Sequence, residues 1–99
     1  TMKAVIGTED DVVGFGLTGI KQRQILHMNA DLRAIENALT QLDTTTNMVF
    51  INEALLTTLR YHDKAQEYDM HFTMIPDTDT TPNIDEIEAI AKKTLGITP

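Results

Sequence analysis

The chain has 99 residues, of which 41% are hydrophobic, and it contains no cysteine, so it can form one domain core but neither a disulfide framework nor a thiolate metal site. Eight basic and fifteen acidic side chains give a formal net charge of -7, which argues against nucleic acid or anionic lipid as a partner. No apolar run approaches the ~20 residues of a membrane span, so no direct membrane insertion is expected.

Short apolar runs alternate with longer segments of helical period, which is typical of a parallel sheet covered by helices. The first run spans residues 3–6 and is followed by Gly7. A second, weaker run at about 24–28 mixes apolar and polar residues, which predicts an edge strand. A short helix and its turn, containing several glycines, connect these two runs.

The next segment has the clearest helical period in the chain. Its apolar residues recur at steps of three and four, which predicts a helix over about 30–43, with Asn29 as its N-cap. The continuous run 48–51 predicts a strand buried on both faces. Asn52 is then expected to cap a third helix that fades near 65–68.

The last third of the chain contains one more strand and one more helix. The fourth apolar run, 70–75, stops at Pro76, which cannot donate to a strand ladder. Residues 77–82 are polar and are interpreted as a hinge loop. Asn83 and Glu86 can form a capping box for a helix with the apolar stripe Ile84, Ile87, Ala91 and Leu95, with Ile90 at its edge. The predicted organisation is a core domain at 1–76, the hinge, and a C-terminal helix and tail at 83–99.

This alternation predicts the fold class. Right-handed crossovers between consecutive strands give a small, doubly wound α/β domain with a four-stranded parallel sheet of order 2-1-3-4, flanked by helices and followed by a mobile C-terminal helix.

The glycine block at residues 14–19 matches Gly-x-Gly-x-x-Gly, the dinucleotide fingerprint. That chemistry needs the first glycine directly after the first strand, whereas here about seven residues intervene and three of them are acidic (Glu9, Asp10 and Asp11). The glycines are therefore interpreted as structural. A phospho-acceptor receiver domain is disfavoured because Asn52 stands where the aspartate should end the third strand.

Other catalytic or ligand-binding constellations are not apparent in the sequence. The three histidines stand alone, without the spacing that places two imidazoles on one metal ion. The chain has no serine, and its threonines lack a base at a recognisable spacing. We therefore expect no catalytic residue, no cofactor and no metal site.

Four segments, taken in order along nearly the whole chain, resemble the F subunit of archaeal and vacuolar-type (A-type and V-type) rotary ATPases. The opening 2–20 has that family's strand, glycine, acid and Gly-Phe-x-Leu-x-Gly block. Residues 47–53 are similar to its third strand, 72–76 to its fourth strand ending at proline, and 84–97 to its terminal helix. Gly16 departs from the family, in which a basic residue often fills this position.

The resemblance implies a non-catalytic subunit of the central stalk of a proton- or sodium-translocating ATPase or ATP synthase. Such a subunit is cytoplasmic and peripheral to the membrane, binds the coiled-coil D subunit of the rotor, and leaves ATP to the catalytic A/B hexamer. The resemblance also implies that the C-terminal helix modulates ATP hydrolysis, with Ile84, Ile87, Ile90 and Leu95 as its apolar residues.

The expected contact with the D subunit lies at the edge strand and the segment before it. The apolar anchors would be Phe15, Leu17 and Ile20, the basic pair Lys21 and Arg23, and a further contact Met28. A competing interpretation places the three apolar anchors in the core. At the level of function, the alternative is a free-standing flavodoxin-like ligand-binding or signalling domain, with its ligand at the carboxyl ends of the strands.

Overall fold

The computed structural model describes residues 2–76, and the predicted hinge and C-terminal helix lie outside the described residues. Strands and helices alternate along this part of the chain. The strands are β1 (Met2–Gly7), β2 (Gln22–Ile25), β3 (Thr46–Asn52) and β4 (His71–Ile75). The helices are α1 (Glu9–Gly16), α2 (Leu32–Thr40) and α3 (Glu53–Tyr61), followed by a short 3₁₀ helix, Ala65–Glu67.

The four strands form one parallel sheet of order β2-β1-β3-β4, so the predicted fold class and strand order are confirmed. β1 and β3 are the central strands, and β2 and β4 are the edges. Within residues 2–76, none of the helices combines the length and apolarity needed to cross a bilayer.

Apolar side chains cover both faces of the sheet. On one face, α2 and α3 pack over a core that includes Ala4, Ile6, Val49 and Ile51. On the other, Val12 and Phe15 of α1 pack with Val5, Phe50 and Ile75. Alternating side chains of a strand point to opposite faces, so β1 and β3 serve both cores.

The second strand begins and ends earlier than its apolar residues predict. It spans Gln22–Ile25 rather than 24–28, and His27 lies in a turn in which Ala30 N–H donates to its carbonyl at 2.9 Å. An edge strand tolerates polar residues because part of it remains in contact with water. The polar residues Gln22 and Arg23 can therefore form part of β2.

The second helix is also shorter than predicted, Leu32–Thr40 rather than 30–43. Its N-cap is Asp31 and not Asn29, because the 27–30 turn separates Asn29 from the helix. Asp31 Oδ1 accepts a hydrogen bond from Ala34 N–H at 2.9 Å. For α3 the expected cap is confirmed, since Asn52 Oδ1 accepts from Ala54 N–H at 2.8 Å.

Candidate functional site on the first helix and the second strand

The exposed apolar side chains of α1 and β2 form the main candidate for a binding surface. Val13 and Leu17 are 52% and 62% exposed, and Ile25 is 60% exposed. Val13 lies in α1 and Leu17 is the C-cap that follows it, and since the two are four residues apart they lie on one side of the helix. Three large apolar residues so exposed in one region are typical of a surface that contacts another molecule.

The register of the sheet places Ile25 on the same side as α1. Gly7 pairs with Ile25 and Val5 with Arg23, and paired residues of parallel strands point to the same face. Val5 packs in the core beneath α1. Arg23 and Ile25 therefore project on the face that carries this helix, beside its exposed residues.

Phe15 and Ile20, two of the predicted contact residues, are buried, with 0% and 7% of their surface exposed, as the competing interpretation expects for these two. The ring of Phe15 packs against that of Phe50 with centroids 4.8 Å apart and the planes tilted by 36°. Both residues belong to the core beneath α1 and do not offer their side chains to a partner in this conformation. Of the three predicted apolar anchors, only Leu17 is exposed.

Val13 and Ile25 are the residues that sequence reasoning missed. Val13 stands between Val12 and Gly14, where helical spacing from Leu17 could have placed it on the outer side of α1. Ile25 alternates with the polar Gln24, and the alternation of an edge strand could have placed it outside.

Lys21 and Arg23 are both exposed, as a basic contact requires. A Cβ atom built on Gly16 would lie 3.1 Å from Arg23 Nη1. The guanidinium group thus lies over the last turn of α1, in space that a side chain at position 16 would use. This part of the surface therefore carries a positive charge although residue 16 is glycine.

Met28 lies at the carboxyl edge of the sheet, in the turn after β2. It is 36% exposed and lines an open cleft of about 550 Å³ between that turn and the start of α3. The other lining residues are Asn29, Ala30, Glu53, Ala54, Thr57 and Thr58. The two threonine hydroxyls donate to carbonyls of α3 itself, at 2.8 and 3.1 Å. These two hydroxyls are therefore engaged within α3 and are not directed at a ligand in the cleft.

A buried polar network joins β1, α1 and β3 at the carboxyl edge. Asp11 and Asn52 are each 1% exposed, and Asp11 Oδ2 accepts hydrogen bonds from Asn52 Nδ2 at 2.9 Å and from Thr8 N–H at 3.0 Å. Thr8 and Asp11 form a capping box at the start of α1. A Cβ on Gly7 would lie 2.6 Å from Asp11 Oδ2, so only glycine leaves room for this carboxylate.

This network occupies the point where ligands bind in many doubly wound folds, between strands whose connections run in opposite directions. In place of a ligand, the side chains of Asp11 and Asn52 bond to each other. The glycine block is not at the start of α1: Gly14 and Gly16 lie in its second half, and Gly19 has a φ of +86° in the turn that follows. The structure thus places no phosphate cradle at these glycines.

Side chains in the described part of the chain form no group of three or more His, Asp or Glu residues that could hold a metal ion. The described residues form a small parallel α/β domain with exposed apolar side chains at one edge of its sheet.

Comparison with known proteins narrows this class to one family. The family model described as ATP synthase (F/14-kDa) subunit matches residues 4–93, which is most of the chain. The chain belongs to this family, as its resemblance to the F subunit of A-type and V-type ATPases indicated. A search of curated proteins finds no match.

Proposed function

We propose that the chain is a non-catalytic stalk subunit of an A-type or V-type rotary ATPase, located on the cytoplasmic side of the membrane. In this role it binds the coiled-coil D subunit through α1 and β2, and its C-terminal segment modulates ATP hydrolysis by the A/B hexamer. The family match to an ATP synthase subunit supports membership in such a complex.

The observation that carries the binding proposal is the exposure of Val13, Leu17 and Ile25 on one side of the molecule. Burying an apolar side chain of this size contributes about 1.5–3 kcal/mol. Three such side chains are enough to anchor an interface, because a few central residues supply most of the binding free energy.

Co-purification with the D subunit of the same complex tests this placement. We expect the double variant Leu17→Asp with Ile25→Asp to bind at least about tenfold more weakly, since it places two charges in the apolar contact. Tyr61→Asp is the matched control, because Tyr61 is 83% exposed at the end of α3, away from this surface. Equal binding by the double variant and the control would exclude α1 and β2 as the contact.

The regulatory part of the proposal concerns residues 83–99, outside the described residues. Its support is the sequence: a polar stretch at 77–82 precedes a segment for which the sequence predicts a capping box and an apolar stripe. A twelve-residue helix is marginal alone in water, so a partner could change whether it is docked.

Truncation after Asp79 tests the regulatory role in the reconstituted complex. We expect the ATPase rate to change while the truncated subunit still assembles with the D subunit. The substitutions Ile87→Asp and Leu95→Asp test the same role with a smaller change, because each places a charge in the predicted apolar stripe of this segment. An unchanged rate in fully assembled complexes would rule out regulation by this segment.

A further inference from the structure

The α1 and β2 residues discussed above form a row with a definite direction. Arg23 lies against Gly16 near the end of α1. Ile25 lies two residues beyond Arg23 in β2, about 6.6 Å closer to the carboxyl edge of the sheet. Because α1 runs antiparallel to β2 and rises about 1.5 Å per residue, Ile25 lies beside Val12 or Val13, roughly four residues before Gly16. Leu17 therefore lies toward the amino end of the strand, and Val13 and Ile25 lie side by side toward its carboxyl end.

Opposite charges stand at the two ends of this row. Lys21 and Arg23 are exposed at the amino end, on the side of Leu17. Glu9 and Asp10 are exposed in the first turn of α1, at the carboxyl end. From Glu9 to Leu17 the helix rises about 12 Å, at 1.5 Å per residue.

Charges on the opposite face of the sheet do not cancel this separation. Asp43 N–H donates to Gln22 Oε1 at 2.7 Å, and Gln22 pairs with Ala4, whose side chain lies in the core on that opposite face, so Asp43 lies on the side of the sheet away from α1. Arg33 lies in the first turn of α2, which packs on that face. The face that carries α1 is thus positive at one end of the apolar row and negative at the other.

We propose that this charge separation fixes the direction in which a helix of the partner lies on the surface. The occupant is a single amphipathic helix of the stalk partner, with acidic side chains against Lys21 and Arg23 and basic side chains against Glu9 and Asp10. This inference rests on the proposed function and adds the orientation and charge pattern of the partner.

Dimensions and electrostatics both fit a helical occupant. The rise of about 12 Å from Glu9 to Leu17 matches about two turns of a partner helix, and such a helix presents apolar residues at i, i+3 or i+4, and i+7. Charges around an apolar contact contribute to orientation and to the association rate more than to affinity. A partner helix lying the other way would place like charges together at both ends.

Site-specific crosslinking to the co-purified D subunit tests the orientation. The chain has no cysteine, so Leu17→Cys and Glu9→Cys each provide a single attachment point for a photo-crosslinker, near the two ends of the row. We expect the Leu17→Cys variant to mark an acidic segment of one partner helix and the Glu9→Cys variant a basic segment further along the same helix. Marks on the same segment, or in the reverse order, would overturn the inference.

Charge reversal gives a second readout. Lys21→Glu with Arg23→Glu is expected to weaken binding about tenfold at low salt, and the loss should shrink at about 0.5 M salt because exposed charges are screened. Arg60→Glu, an exposed cation on α3, is the control and should have little effect. Equal binding by both charge variants would contradict the charge-directed orientation. Failure of the unmodified chain to form a complex with the D subunit would instead contradict the proposed function.

Discussion

Replacing Asn52 by aspartate tests whether the buried network at the carboxyl edge depends on an amide donor. Asn52 Nδ2 donates to Asp11 Oδ2 at 2.9 Å, and both residues are 1% exposed. In Asn52→Asp an oxygen takes the place of this nitrogen, so two carboxyl groups about 3 Å apart cannot both be ionised. One of them must hold a proton, which then makes the hydrogen bond that the amide made.

The cost follows from the pKa of the introduced carboxyl. Burial beside a like charge raises the pKa of the introduced carboxyl above its ordinary value, and such shifts reach about 3–5 units for fully buried groups. At about 1.36 kcal/mol per unit, the lower end of this range destabilises the variant by about 4 kcal/mol at pH 7.5 and by less at pH 5.5. Because the introduced carboxyl has a higher pKa in the folded state than in the unfolded state, the free energy of unfolding falls as pH rises between these two pKa values.

Urea unfolding followed by far-ultraviolet circular dichroism measures this loss, since the chain has no tryptophan for fluorescence. Thermal unfolding followed by the same signal at pH 7.5 should show a melting temperature lower by about 20 °C. Asn37→Asp, the same chemical change at an exposed position of α2, should alter stability by less than about 0.5 kcal/mol. If the Asn52→Asp penalty were the same at both pH values, the reasoning about shared ionisation would be wrong.

Four shorter predictions concern the rest of the domain. Gln22 accepts from Asp43 N–H at 2.7 Å and donates to Thr46 Oγ1 and the Lys3 carbonyl, so Gln22→Leu should cost about 2–3 kcal/mol in urea unfolding. Phe15→Ala should cost about 3–5 kcal/mol by the same assay, because the ring is fully buried. Burial and a hydrogen bond to Glu36 raise the pKa of Tyr68 to about 12, so stability should fall between about pH 10 and 12, and the absorbance change near pH 12 should vanish in Tyr68→Phe. Calorimetry should detect no ATP binding tighter than about 10 μM, and a lower dissociation constant would contradict the interpretation of the glycine block as structural.

Local patterns in the sequence were enough to establish the fold. Continuous apolar runs identified β1 and β3, and the steps of three and four from Leu32 to Leu42 identified α2. The strand order then followed from the handedness of the crossovers, which is a general property of right-twisted strands. Asn52 could be recognised as a cap because a cap contacts only the next few residues along the chain.

Positions at an edge or a boundary were predicted less well. Gln22 and Arg23 resemble loop residues by composition, but in β2 they pair with Ala4 and Val5 of β1. The N-cap of α2 moved to Asp31 because the turn before it has its own hydrogen bonds. Propensity alone does not decide such boundaries, since pairing and turn geometry compete with it.

The sequence by itself determined which segments form strands and helices, because hydrophobic period depends only on neighbours along the chain. Only the tertiary structure decided which apolar residues of the glycine-block segment are buried. Phe15 packs on Phe50, 35 positions away, whereas Leu17 is exposed in the described part of the chain. It also decided that Asp11 bonds to Asn52, 41 positions away, rather than facing water with Glu9 and Asp10. Such contacts depend on which strands lie side by side, and neighbours in space are not encoded in any local window of the sequence.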